Sequence, residues 1–317
     1  MKIFLAPMEG VLDHSLRDIL TRIPGVDVCV TEFIRVTDQL LPESVFRRLA
    51  PELQQGSRTP SGTPVLVQLL GNDPVAMGEN AVRAAEMGAP GIDLNFGCPA
   101  KTVNRSRGGA ILLKDPDEVH AITAGVRRAL MPEVPLSAKM RLGFQDKSLA
   151  IENAQAIEAA GAMQLTVHAR TKVEGYKPPA HWEWIARIRE AVSIPVIANG
   201  DIWTVDDYHR CRQVSGCEDV MIGRGLIANP FLAQAIRCGE EGLGAAATWQ
   251  QTRSLIQVYH GMVMARLEPK HINGRTKQWL RMMQRHYQQA EVLFSEVRAE
   301  RDPQRFAELL QAVEANG

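Results

Sequence analysis

Eight short runs of apolar and β-branched residues, each separated from the next by a stretch of helical periodicity, constrain this chain more than any other feature. They fall at residues 3–6, 26–31, 64–69, 91–94, 136–140, 164–168, 195–198 and 219–222. Near-continuous apolar runs of this length belong in a parallel sheet covered on both faces. The segments between them predict amphipathic helices at 74–87, 116–130, 148–160, 182–192 and 205–214, with Gly88 and Gly161 as stops. The crossover around residues 37–56 has the weakest pattern. Eight strand–helix units define an α/β class of fold, the parallel (β/α)8 TIM barrel, by count and by size. A doubly wound sheet would not ordinarily need eight, and no G-x-G-x-x-G follows the first strand.

The pattern changes near residue 240. Residues 239–244, followed by three alanines, read as a linker. Beyond it, residues 249–266, 276–289 and 303–315 predict helices with no strand between them. The expected division is therefore a barrel over 1–240 and a small C-terminal helical domain over 245–317.

With 317 residues, 45% of them hydrophobic, the chain can bury a large core. It has no apolar run of the ~18 residues a membrane span needs, and its first residues lack a signal-peptide pattern. Cys29, Cys98, Cys211, Cys217 and Cys238 show neither a CxxC pair nor metal-ligand spacing, so reduced thiols, no metal and a soluble cytoplasmic protein are expected. A net charge of zero argues against a uniformly basic nucleic-acid binder. The charge is nonetheless uneven, because residues 266–285 hold six basic side chains against Glu268 alone. Within that stretch Lys277, Arg281 and Arg285, spaced i, i+4, i+8, predict one basic helix face.

In such a barrel the chemistry gathers at the C-terminal ends of the strands. The first ends in Ala6-Pro7-Met8-Glu9-Gly10 and the third at Gln68, whose amide both donates and accepts; either, alone, is an ordinary strand end. The fourth gives Asp93-Leu94-Asn95-Phe96-Gly97-Cys98-Pro99, in which glycine and proline pin a cysteine on a tight turn suited to proton donation or nucleophilic attack. The basic segment after it, Lys101 to Gly109, reads as a flexible loop able to act as a lid or grip phosphate. The fifth strand carries Lys139, which must find an acceptor if buried. His168 and Arg170 close the sixth, Asn199-Gly200-Asp201 the seventh and Gly223-Arg224-Gly225 the eighth. Glycines after the last two strands are where this architecture commonly holds phosphate, and Arg224 adds a charged donor. Together these ends describe a pocket for a phosphate-bearing cofactor, with a lysine at its middle and a thiol across from it.

These segments, with Lys139-Met140-Arg141, His168-Ala169-Arg170-Thr171, Ile197-Ala198-Asn199-Gly200-Asp201 and Met221-Ile222-Gly223-Arg224-Gly225, resemble the tRNA-dihydrouridine synthases over essentially the whole chain, tail included. Thr31-Glu32-Phe33-Ile34-Arg35-Val36 and Arg275-Thr276-Lys277-Gln278-Trp279-Leu280 are similar to the bacterial C-type branch, which modifies position 16 in the D-loop of tRNA. The resemblance implies FMN as cofactor and NADPH as reductant. It implies that Pro7, Met8 and Glu9 lie along the flavin, Gln68 bonds to its ring, Lys139 sits at the electron-rich N1/O2 side and His168 also touches it. Asn199, Gly200, Asp201, Gly223 and Arg224 would hold the ribityl chain and phosphate. Cys98 would protonate C5 of the uracil as hydride reaches C6, with Asn95 orienting the base. Arg35, Tyr176, Arg275, Lys277 and Arg298 are the implied tRNA contacts. The target base must leave its stack while phosphate contacts hold the remainder, and a monomer is expected.

The sequence departs from that branch at two places. Arg105 and Arg107 stand where small residues such as glycine are the pattern, and the tail differs around residues 268–274. Two other readings remain at this point. A flavin barrel acting on a free pyrimidine, similar to the dihydroorotate dehydrogenases, explains Cys98 and the phosphate site but leaves the basic tail unused. A non-catalytic RNA-binding barrel leaves the reactive strand ends unexplained.

Overall fold

The computed structural model describes residues 1–239 and 245–312. The expected linker over 240–244 and the end of the last expected helix lie outside the described residues. Nine strands form a single parallel sheet among the described residues: β1 (Ile3–Leu5), β2 (Val28–Val30), β3 (Ile34–Arg35), β4 (Val65–Leu70), β5 (Ile92–Phe96), β6 (Leu136–Arg141), β7 (Gln164–His168), β8 (Val196–Asn199) and β9 (Val220–Ile222). β1 pairs with both β2 and β9, and β2 also pairs with β4, so the sheet closes on itself. Cys29 and Val30 lie opposite Val65 and Leu66, and Ile34 and Arg35 lie opposite Leu69 and Leu70. β2 and β3 are thus two pieces of one barrel strand. At the break, the Thr31 hydroxyl accepts the Gln68 backbone N–H at 3.0 Å. The result is the expected eight-stranded parallel barrel.

The strands are not apolar throughout, as the sequence reading had it; they alternate. Val65, Val67 and Leu69, then Ile92, Leu94 and Phe96, then Leu136, Ala138 and Met140 are all buried in the main core beneath the helices. Residues of the other parity face the barrel axis. Phe4, Val30, Ile197 and Met221 form a small apolar plug there. One step further along each strand come the polar positions Gln68, Asn95, Lys139, His168 and Asn199. An apolar outer face carries the fold, which leaves the inner face free to carry chemistry.

The barrel is ringed by α1 (His14–Thr21), α2 (Glu43–Leu49), α3 (Pro74–Glu86), α4 (Lys101–Arg105), α5 (Pro116–Ala129), α6 (Ala150–Ala159), α7 (Trp182–Ala191), α8 (Val205–Ser215), α9 (Arg224–Ala228) and α10 (Leu232–Cys238). Their starts have local causes. Asp73 and Asp115 cap α3 and α5, each with proline at the first helical position. Thr204 and Asp207 form a reciprocal capping box on α8, which Gly216 ends at φ 67°.

The tail comprises α11 (Ala245–Arg266), α12 (Pro269–Met283), α13 (Gln288–Val297) and α14 (Pro303–Ala312). The helix expected over 276–289 instead spans Pro269–Met283. Pro269 sets an earlier start, and the chain turns after Met283 because Tyr287 is fully buried and hydrogen-bonded to Asn229 at 3.3 Å. α13 was missed by the sequence reading. The tail is tied to the barrel by Arg266 to Asp13 at 2.5 Å, Arg275 to the Gly10 carbonyl at 2.7 Å and the Trp279 indole N–H to the Ile227 carbonyl at 3.1 Å. Trp279 also packs edge-on against buried Tyr259, 5.1 Å between centroids. An aromatic side chain buries roughly 150–250 Å², a gross ~4–6 kcal/mol at ~25 cal/mol per Å², against a net ~1 kcal/mol for a hydrogen bond. Apolar burial therefore dominates the attachment. No helix among the described residues is long and apolar enough to cross a membrane.

Candidate active site

A cavity of about 500 Å³ opens at the C-terminal ends of the strands. Every residue expected to bind a cofactor lines it: Pro7, Met8, Glu9, Gln68, Lys139, His168, Asn199, Gly200, Asp201, Gly223 and Arg224. Cys98, Asn95 and Tyr176 line it too.

Beneath the cavity runs a chain of buried polar groups. Asp93 accepts from the Ser137 hydroxyl and from the Gln68 amide N–H, both at 2.6 Å. The Gln68 carbonyl accepts from the Asn95 amide at 2.7 Å. The Asn95 carbonyl accepts the backbone N–H groups of Gly97 and Cys98, both at 2.9 Å. A carboxylate that only accepts sets the direction of each amide above it, and the last link holds the cysteine turn. Burial raises the Asp93 carboxyl, while the bonds from Gln68 and Ser137 and the charge of Lys139 pull the other way.

Lys139 donates to the Asn199 side-chain oxygen at 3.0 Å, and Asn199 in turn donates to the Met221 carbonyl at 2.8 Å. Burial, reinforced by Arg141, pushes the Lys139 amine down to about 8, against the pull of Asp93. His168 is held well below its ordinary value by burial and by the surrounding cations, so its ring is neutral at physiological pH. The Cys98 thiol is pushed up, chiefly by burial, and stays protonated at neutral pH. That suits a proton donor better than a nucleophile, because thiolate is the attacking form.

The far end of the cavity is built around Asp201, which stands at φ 53°. It pairs with fully buried Arg170, and with Arg224 at 3.4 Å. One Arg170 nitrogen, Nη1, has no hydrogen-bond partner. Gly223 leaves an opening that a Cβ would fill, 3.2 Å from the Met8 sulfur and 3.3 Å from the Ala6 Cβ. Gly200, at φ 123°, is equally confined against the His168 ring. A glycine-lined cradle with the Arg224 guanidinium on its wall fits a phosphate-bearing cofactor.

The segment after Cys98 is not the flexible loop expected. It folds into α4 and a short 3-10 helix, Gly109–Lys114, and Asn104 donates back to the Cys98 carbonyl at 2.9 Å. A Cβ on Gly109 would come within 2.8 Å of that same carbonyl. Arg107 occupies a left-handed conformation, φ 53°, where glycine would sit without strain, and pairs with Glu118 at 3.1 Å. Arg105 is exposed at the last position of α4.

The remaining expected RNA contacts lie outside the cavity. Arg35 and Arg298 are exposed, and Arg275 spans the seam to Gly10. The Lys277 amine is occupied by the Glu300 carbonyl at 2.6 Å. The basic face drawn through Lys277, Arg281 and Arg285 is broken, because α12 ends at Met283. Arg285 instead stacks on Trp203 at 3.8 Å. Asp93, Ser137 and Trp203 were not singled out from sequence. Alternation could have found Asp93, which lies two residues before Asn95 on the same strand face.

By fold and by the groups at its strand ends, the chain is a barrel enzyme. Solved barrels of like architecture include a 2-naphthoyl-CoA reductase in complex with 2-naphthoyl-CoA, with TM-score 0.57 and 14% identity over 76% of this chain and 50% of that one. A morphinone reductase variant matches with TM-score 0.50 and 13% identity over 75% and 86%. At such identity the likeness is one of fold alone. Residues 4–316 match the dihydrouridine synthase (Dus) family, and the chain belongs to it. It is a flavin-dependent enzyme of that type. Similar relatives include the tRNA-dihydrouridine(16) synthases of Pseudomonas putida, 56% identical over 98% of this chain and 96% of theirs, and of Aquipseudomonas alcaligenes, 55% over 98% and 99%. That of Neisseria meningitidis serogroup A is 47% identical over 99% and 95%.

Proposed function

We propose that this enzyme reduces uridine to 5,6-dihydrouridine at position 16 in the D-loop of tRNA, with FMN as cofactor and NADPH as reductant. The observation that carries the reading is the Asp93–Gln68–Asn95 chain, which fixes a protonated Cys98 on the wall of the same cavity that holds Lys139. The position is supported by the relatives, which are tRNA-dihydrouridine(16) synthases.

In this reading Pro7, Met8 and Glu9 border the isoalloxazine, and Gln68, Lys139 and His168 contact it. Asn199, Gly200, Asp201, Gly223 and Arg224 hold the ribityl phosphate. The bound flavin supplies the hydride that reaches C6 of the uracil. Lys139, buried at the centre of the site, stabilises negative charge there as a cation. Neutral His168 adds no second charge. Cys98 delivers its proton to C5; Asn95, its oxygen taken by the Gly97 and Cys98 N–H groups and one N–H by Gln68, presents its remaining N–H to the base.

The barrel, 1–240, is the catalytic unit in this reading, and the helical segment, 245–317, docks the RNA of a cytoplasmic tRNA substrate. Arg35, Tyr176, Arg275, Lys277 and Arg298 contribute contacts, and the enzyme acts as a monomer. Purified enzyme should be yellow and should oxidise NADPH in proportion to added tRNA that lacks dihydrouridine. Free uracil or orotate should not substitute. Turnover on the small pyrimidine with none on tRNA would overturn the proposal.

A further inference from the structure

Beside the cofactor cavity lies a second groove of about 390 Å³ that shares Tyr176, Asp201, Trp203 and Arg224 with it and adds Arg210, Arg285 and His286. Its cations and aromatics alternate. Arg141 lies 5.2 Å from the Tyr176 ring, Arg224 lies 4.6 Å from Tyr176 and 4.9 Å from Trp203, and Arg285 lies 3.8 Å from Trp203. The stack leads from the catalytic cavity to the turn after α12, where the tail meets the barrel.

The charges in this groove are accounted for with one exception. Asp201 is taken by Arg170, Arg224 and the Trp203 indole. Asp207 is taken by the N–H groups of Trp203 and Thr204 and by Arg210. His286 is held below its ordinary value by burial and is neutral. Arg285 is exposed, and no carboxylate among the described residues pairs with it. Its flat face rests on Trp203, which leaves the in-plane N–H fork free. That fork matches a phosphate or carboxylate bidentately, and the stack lowers the rotamer entropy lost on binding.

We propose that Arg285, held flat on Trp203, is a docking point for a backbone phosphate of the RNA strand whose base enters the cavity. The inference rests on the reading of the enzyme as acting on tRNA. A base taken out of its stack brings its own flanking phosphates to the rim, and Arg285 stands at that rim, on the outer side of Arg224. The side chain places the strand and touches no reacting atom.

The test is binding of dihydrouridine-free tRNA to the holoenzyme across a salt series. Arg285→Ala is expected to weaken binding about 3- to 10-fold and to flatten the slope of log K against log salt by about 0.7, one phosphate contact on an unpaired strand. Trp203→Ala is expected to weaken binding less and to keep the wild-type slope, since the charge remains. Bound flavin and its rate of reduction by NADPH should be unchanged in Arg285→Ala. Unaltered affinity and slope in Arg285→Ala would overturn the proposal. Slowed reduction by NADPH with tRNA binding intact would also overturn it, by assigning the cation to a phosphate of the reductant. Reduction of tRNA by the wild type is the separate control. Should it fail, the proposed function fails; should it succeed while Arg285→Ala behaves as wild type, only this inference does.

Discussion

Asp93 accepts the Gln68 amide N–H at 2.6 Å, and this one contact decides which way the amides of Gln68 and Asn95 point. An acceptor-only group at the base of the chain leaves each amide above it one satisfied orientation. Asp93→Asn would present its own donors to Ser137 and Gln68 and permit the reversed arrangement. A buried group left unpaired costs about 1–3 kcal/mol. The variant is expected to lose that much stability in denaturant titration. It should also lose about 10- to 100-fold in kcat at near-normal KM for tRNA, because the Cys98 turn is released. Ser137→Ala, which leaves the acceptor in place, should cost about 1 kcal/mol and little turnover; equal loss of kcat in both variants would make the chain purely structural.

The proton on Cys98 yields a second prediction. Cys98→Ala should bind flavin and tRNA as wild type does, with the flavin still reduced by NADPH, while uridine reduction falls about 10²- to 10⁴-fold, the usual range for a lost general acid. Single-turnover oxidation of the reduced enzyme by tRNA reads this directly. Full activity would remove the donor role.

The Lys139 amine, depressed to about 8, gives the site an alkaline limit. Turnover that needs the cation should fall as pH rises through about 8. Lys139→Arg, whose charge persists, should shift that fall upward even if it is slower overall. Stability moves in the other direction. With the folded value below the ordinary 10.5, the unfolded chain binds more protons between about 8 and 10.5, so this residue's contribution favours folding more as pH rises through that window. A flat alkaline profile of kcat/KM would separate Lys139 from the chemistry.

Gly223 tests the phosphate cradle. An added methyl would meet the Met8 sulfur at 3.2 Å and the Ala6 Cβ at 3.3 Å. Gly223→Ala should release flavin about 10-fold more readily, with thermal unfolding of the flavin-free protein within a few degrees of wild type. Retention of flavin at wild-type affinity would move the phosphate elsewhere.

Much of this was legible in the sequence, for identifiable reasons. Strand count survived because the outward parity of each strand is apolar, and helix starts followed Asp73-Pro74 and Asp115-Pro116. Cavity residues were legible because polar groups at apolar strand ends have one place to go. What escaped depended on tertiary partners. The end of α12 is set by Tyr287 reaching Asn229, and the placement of Arg285 by Trp203, more than eighty positions away along the chain. Asp93 was passed over because its neighbours Gln68 and Ser137 come from other strands. Arg107 looked like an added cation on a loop, but its conformation is fixed and its charge is spent on Glu118.

The central claim is tested most directly by mapping the product. Holoenzyme and NADPH are incubated with tRNA that lacks dihydrouridine, and each reduced uridine is located by position. The account predicts dihydrouridine at position 16 alone, and none with Cys98→Ala over the same time. A tRNA left unreduced by flavin-loaded enzyme, or wild-type product confined to other positions, would contradict it.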